Sequence, residues 1–207
     1  MKKKTTAILT GDIVGSRNID AKTWIKHLKS ILGKKGKSPI DWEIFRGDMF
    51  QLETEPEQSL KTAIEIKAKI KQIKNLDVRI AIGIGPAEFK TKSITQSNGT
   101  VYSNSGICFE NLKKRRLAIQ TSWPKFDDNW NLTLRLLSLT TDNWTPATAQ
   151  IMEVAFQNPK LNQKGLSKKL KRSQSTISAS LKRAGYDEIS LLLSHFNEDL
   201  SNSIRKK

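Results

Sequence analysis

Apolar residues along this chain recur at two spacings, and the switches between them predict its elements. Thr5–Asp12 (TTAILTGD) reads as a strand closed by a Gly-Asp turn. From Asn18 to Leu32 the apolar positions are Ile19, Trp24, Ile25, Leu28, Ile31 and Leu32, a helical spacing. A basic loop with two glycines, GKKGKSP, follows. Asp41–Arg46 and Met49–Glu53 are short strands joined through Gly47-Asp48, a hairpin signal. Pro56 opens a predicted helix that runs to about Lys74, with Leu60, Ala63, Ile64, Ile66, Ile70 and Ile73 as its apolar face. Val78–Ile84 is nearly all apolar, the pattern of a strand covered on both faces. After the polar loop KTKSITQSNGT, the spacing predicts a helix over Ser105–Ile119 with a basic end.

The order β-α-β-β-α-β plus one helix predicts an α+β fold whose first unit, residues 1–121, has the ferredoxin-like split βαβ arrangement. Trp130, Leu132, Leu136, Leu137 and Leu139 predict a connecting helix within 122–144, with at least one buried stripe. An all-α unit, residues 145–207, completes the chain. In it Ala147–Phe156 follows a Thr145-Pro146 start and stops at Asn158-Pro159. Two short helices, Gln163–Leu170 and Gln174–Ala184, flank a tight turn, Asp187–Phe196 forms the last helix, and the tail SNSIRKK is expected to fray.

Charge narrows the possible partners. Lys and Arg total 36 against 20 Asp and Glu, a formal net charge of +16 over 207 residues, so a polyanion is the expected partner. One cysteine, Cys108, excludes an intrachain disulfide, and two distant histidines, His27 and His195, argue against zinc. No apolar run approaches the length of a membrane span, and the basic opening leads into a stretch too short for a signal peptide, which predicts a cytoplasmic protein. Gly83 and Gly85 lack the third glycine of a dinucleotide fingerprint and read as close backbone packing. No sequence feature calls for haem.

The densest signal is LNQKGLSKKLKRSQSTISASLKRAG. Asn162 and Ser173 are placed to cap two helices, Leu166/Leu170 and Ile177/Leu181 give each helix one inward seam, and Gly185 suits a left-handed end. Ser167 is small where the helices must cross. Between Lys160 and Arg183 stand eight Lys or Arg and no acid. Lys164, Lys168, Lys171, Arg172 and Lys182 suit phosphate contacts, and Gln174, Ser175, Thr176 and Ser178 suit the major groove of double-stranded DNA. The string resembles bacterial helix-turn-helix modules of the type Q-x-x-L-A-x-x-L-G-x-S-Q-S-T-V-S. It departs from them at Lys171, where the turn glycine stands, and at Arg172, where an apolar residue stands.

Two Gly-Asp pairs mark a second candidate site. Gly11-Asp12 ends the first strand and leads into IVGSR, a loop able to offer backbone N–H groups to an anion. Gly47-Asp48 lies in a hairpin that a βαββαβ sheet brings near the first strand's end, where two carboxylates are a plausible ligand set for Mg²⁺ with phosphates. Gly-Asp is also a preferred turn pair. The strings TGDIVGSR, FRGDMFQ, VRIAIGIG and NSGICFENL resemble the class III nucleotidyl cyclase fold and, more closely, the SatD-like family. The resemblance implies metal binding by Asp12 and Asp48, phosphate held near Ile13, Val14, Gly15 and Ser16, and a homodimer. Ile44 stands where cyclases carry a base-selecting Lys, and the Asn and Arg expected on the late helix have no clear match, Asn104 and Asn111 agreeing only in type. The expected function is therefore a DNA-binding transcriptional regulator with a dimerisation or nucleotide- or metal-sensing unit. The alternative is a Mg²⁺-dependent nucleotidyl transferase or cyclase with a DNA anchor.

Overall fold

The computed structural model describes residues 4–205. It is an α+β fold: a five-stranded mixed sheet and, among the described residues, eight α-helices. The strands are β1 (Thr5–Val14), β2 (Trp42–Phe45), β3 (Met49–Thr54), β4 (Asp77–Pro86) and β5 (Leu117–Gln120), in the order β2-β3-β1-β4-β5. β1 runs antiparallel to both β3 and β4, while β5 joins the far side of β4 in parallel.

Alternation along the strands builds two faces. Ala7, Leu9, Ile13, Phe50, Leu52, Ile80 and Ile82 pack into the main core with α1 (Ala21–Leu32) and α2 (Ser59–Ile70). On the other face Ile8, Ala81 and Gly83 lie under α3 (Thr100–Glu110), where Ile8 packs with Val101 and Ala81 with Cys108. A Cβ on Gly83 would sit 2.4 Å from the Ser105 backbone nitrogen, so α3 approaches β4 as closely as a bare backbone allows.

Two expected elements differ. The helix over Ser105–Ile119 ends at Glu110, and Leu117–Gln120 is instead the edge strand β5. α4 (Pro124–Thr141) makes that edge possible: Asn131 accepts from Ile119 N at 3.0 Å and donates to Ile119 O at 2.8 Å. Asp127 accepts from both the backbone and the hydroxyl of Thr121, and burial pushes its pKa up. The helix expected from Pro56 to Lys74 is a 3₁₀ turn, Pro56–Gln58, followed by α2, which ends at Ile70.

Carboxy-terminal to α4 come α5 (Pro146–Gln157), α6 (Gln163–Leu170), α7 (Gln174–Ala184) and α8 (Tyr186–Arg205). α8 runs well past Phe196 and takes up most of the tail expected to fray; Lys206 and Lys207 lie outside the described residues. Leu200 is fully buried and Ile204 packs on the core, so tertiary contact holds the added turns. Phe196 stacks edge-on against Trp130 with centroids 4.9 Å apart.

One contiguous apolar cluster runs from Ala7 in β1 to Leu200 in α8. α5 lies on α2, where Glu153 takes Lys69 at 3.3 Å and Gln72 at 2.6 Å. Lys67, 4% exposed, binds Asp77 at 2.8 Å and Asp142 at 2.7 Å. Asp142 is exposed, but the Lys67–Asp77 pair is largely buried, and removing one partner of a buried pair costs about 3–5 kcal/mol. No helix among the described residues is long and apolar enough to cross a membrane.

Candidate functional site

The carboxy-terminal site is built by its caps. Asn162 accepts from Gly165 N at 2.9 Å and Ser173 from Thr176 N at 3.1 Å, starting α6 and α7 where expected. Between them Lys171 adopts φ 51° and ψ 46°, the left-handed conformation a glycine would take without strain. Ser167 closes the turn by donating to Arg172 O at 2.6 Å, a role beyond its small size. Leu166, Ile177 and Leu181 are buried, which fixes the rotation of both helices.

That rotation leaves Lys164, Lys168, Lys171, Gln174, Ser175, Thr176 and Lys182 exposed and Ser178 half-buried. Two residues sit differently from the sequence reading. Arg172 is half-buried and turns back toward α5, donating to Gln150 at 3.0 Å. The acid-free stretch also acquires acidic neighbours: a cleft of about 530 Å³ beside α7 is lined by Gln163, Ser178 and Lys182, and also by Asp187 and Glu188 of α8.

The amino-terminal site is a cleft of about 430 Å³ at the end of β1. Asp12, Ile13, Val14, Gly15, Ser16 and Asp48 all line it, so the residues singled out around the two Gly-Asp pairs converge. Gly11 and Gly15 permit the geometry. A Cβ on Gly11 would lie 2.6 Å from the Phe50 ring, and Gly15 turns the chain at φ 86°. Ser16 donates to Asp48 at 2.5 Å, and Ile13 N reaches Asp48 O at 3.3 Å.

Arg79 and Arg116 are the lining residues that sequence reasoning missed. The β1–β4 register sets Asp12 directly opposite Arg79, and the guanidinium engages both carboxylate oxygens, Nε to Oδ1 at 2.9 Å and the second nitrogen to Oδ2. The bond to Asp12 raises the already high pKa of Arg79. With Arg17 also present, three arginines face two aspartates across the cleft. As arranged, the residues do not fit a divalent cation: Asp12 already holds a guanidinium, and among the described residues no group of three or more His, Cys, Asp or Glu could hold a metal.

Ile44 packs on the core, and Asn104 is buried, donating to Ile84 O at 2.9 Å. Burial pushes the Cys108 thiol up to about 12, which keeps it protonated at neutral pH. The run KKRR at 113–116 lies in the turn from α3 to β5, not in a helical last turn, with Lys113 left-handed at φ 51°. No family model and no curated protein matches the chain.

Proposed function

We propose that this protein is a cytoplasmic DNA-binding regulator that grips duplex DNA through α6 and α7. The observation that carries the reading is the exposure of Gln174, Ser175 and Thr176 at the start of a capped helix, flanked by Lys164, Lys168 and Lys182. Such a helix places amide and hydroxyl groups at base edges and ammonium groups at phosphates. On this reading α5 to α8 are a helix-turn-helix unit, the strand order β2-β3-β1-β4 supports a ferredoxin-like unit ahead of it, and the nucleotidyl cyclase-like and SatD-like assignment of that unit rests on the sequence strings alone.

That amino-terminal unit serves as the dimerisation and ligand-sensing part, taking a nucleotide phosphate at Ile13–Ser16 beside Arg17 and Arg116. A homodimer is supported by α4, where Leu132, Leu136 and Leu139 are 59%, 59% and 70% exposed at helical spacing. Leu136→Asp then yields a monomer by light scattering, and an unchanged mass refutes that interface.

The test of DNA binding is an anisotropy titration with the full chain, because removing 145–207 would strip α5 and α8 from the shared core. Gln174→Ala costs about 1–3 kcal/mol on the preferred sequence and little on random DNA, whereas Lys168→Ala weakens all sequences alike. Equal losses on both kinds of DNA for both variants refute the division of roles.

A second reading, a Mg²⁺-dependent nucleotidyl transferase or cyclase, has the convergence of Asp12 and Asp48 on one cleft in its favour and the Arg79 guanidinium on Asp12 against it. On that reading nucleotide turnover is lost in Asp12→Ala and Asp48→Ala. Nucleoside triphosphates left unchanged by the protein with Mg²⁺ or Mn²⁺ refute it.

A further inference from the structure

A second acid-free basic stretch lies far from the helix-turn-helix in sequence and beside it in space. Residues 21–40 hold six lysines and no Asp or Glu, and residues 154–186 hold eight Lys or Arg and no Asp or Glu. The two meet where Lys34 Nζ donates to Gln157 Oε1 at 2.9 Å, across 123 positions of sequence. A cleft of about 330 Å³ lies at the junction, lined by Lys34, Lys35 and Lys61 from one side and by Phe156, Gln157 and Pro159 from the other. Pro159 also lines the cleft that holds Gln163, Ser178 and Lys182, so the two surfaces adjoin.

The acid within the junction is already neutralised. Glu65 is 3% exposed and takes Lys35 at 2.5 Å and Lys61 at 3.9 Å. Lys29, Lys34 and Lys37 are exposed, and among the described residues none lies within ion-pairing distance of a carboxylate. The loop's own acid, Asp41, is turned onto the backbone, accepting from Lys37 N at 2.7 Å, and the three ammonium groups at the end of α1 and its loop hold a local positive field that an anion lowers. The packing of α5 on α2 fixes this group relative to α6 and α7, because Glu153 and the shared core tie the two halves together.

We propose that the end of α1 and the following loop, Lys29 to Lys37, form a second backbone-phosphate site for the duplex held by α7. The site extends the footprint along the phosphates flanking the bases that α7 reads. It rests on the DNA-binding reading above and adds a contact from the opposite half of the molecule. Being a phosphate contact, it contributes affinity and salt dependence but no sequence preference.

The experiment compares two double variants of the full chain by anisotropy over a range of salt. Each phosphate contact contributes about 0.9 to the slope of log K against log salt, so losing two lowers it by about 1.8, or roughly tenfold in affinity over a fourfold rise in salt. Lys34→Gln/Lys37→Gln is expected to show that loss equally on specific and random duplexes, with an unchanged melting temperature. Lys92→Gln/Lys125→Gln removes the same charge elsewhere and is expected to leave the slope unchanged. A wild-type chain that binds DNA with the same slope as the Lys34/Lys37 variant overturns the proposal and leaves the DNA-binding reading intact. Equal loss in both doubles also overturns it, reducing the effect to net charge. A wild-type chain that fails to bind duplex overturns the DNA-binding reading itself, and this inference with it.

Discussion

Lys171 is the residue where charge and backbone pull in opposite directions, and its replacement separates them. It ends α6 at φ 51° and ψ 46°, with an exposed side chain beside the proposed phosphate contacts. Left-handed backbone costs a non-glycine residue about 1–2 kcal/mol. Glycine avoids that cost but gives back about 0.4–1 kcal/mol through the greater freedom of the unfolded chain. Lys171→Gly therefore gains roughly 0.5–1 kcal/mol, which in a chain of this size raises Tm by about 1–4 °C. Lys171→Ala keeps the strain and gains nothing, while both variants lose the same ammonium group. Thermal melts by circular dichroism read the first effect, and the salt slope of DNA binding reads the second, falling by about 0.9 in both. A glycine variant no more stable than the alanine variant refutes the claim that the turn is strained. Equal slopes in wild type and both variants refute the placing of Lys171 at a phosphate.

Other outcomes follow from packing and titration. Gly83→Ala drives a Cβ against the Ser105 backbone and is expected to cost about 1–3 kcal/mol or more, whereas Gly85→Ala, with its nearest atom at 3.3 Å, costs less; chemical denaturation checks the order. Phe196→Ala empties the space between α8 and α4 and is expected to cost about 3–5 kcal/mol by the same measurement. Glu43 accepts from Thr95 and Ser93, and those bonds hold its pKa below the usual 4.5. Its contribution is therefore present above pH 4.5 and lost as pH falls through the lowered value, so the protection factors of the Ser93–Ser97 amides, taken against the intrinsic rate at each pH, fall in acid. Glu43→Gln is expected to remove that acid dependence, and amide exchange unchanged by the substitution would count against the clamp.

Much of the local structure was legible because it depends on neighbours in sequence. The caps Thr145, Asn162 and Ser173 each satisfy a backbone N–H three residues on, and all three start helices where the pattern predicted them. Seams at Leu166, Ile177 and Leu181 were readable from helical spacing for the same reason. β5 was not legible. It is four residues long, its edge is satisfied by Asn131 of α4, and its sequence carries too few apolar positions to separate a strand from the helix before it. On α4 the apolar spacing predicted at least one buried stripe, and Trp130, Leu134 and Leu137 form it while Leu132, Leu136 and Leu139 face out. The spacing named Trp130 and Leu137 together with the three outward leucines, left out Leu134, and could not say which side the core covers.

The candidate sites divide the same way. The order of residues was enough to mark the Gly-Asp turns, the capped basic helices and the left-handed position at Lys171, since each follows from local backbone chemistry. Only the fold pairs Asp12 with Arg79, brings Asp187 and Glu188 beside Lys182, and sets Lys34 against Gln157. Asp12 and Arg79 lie 67 positions apart and Lys34 and Gln157 lie 123 apart. Sheet register and helix packing decide these contacts, through burial of one continuous core, and no short stretch of chain encodes that burial by itself.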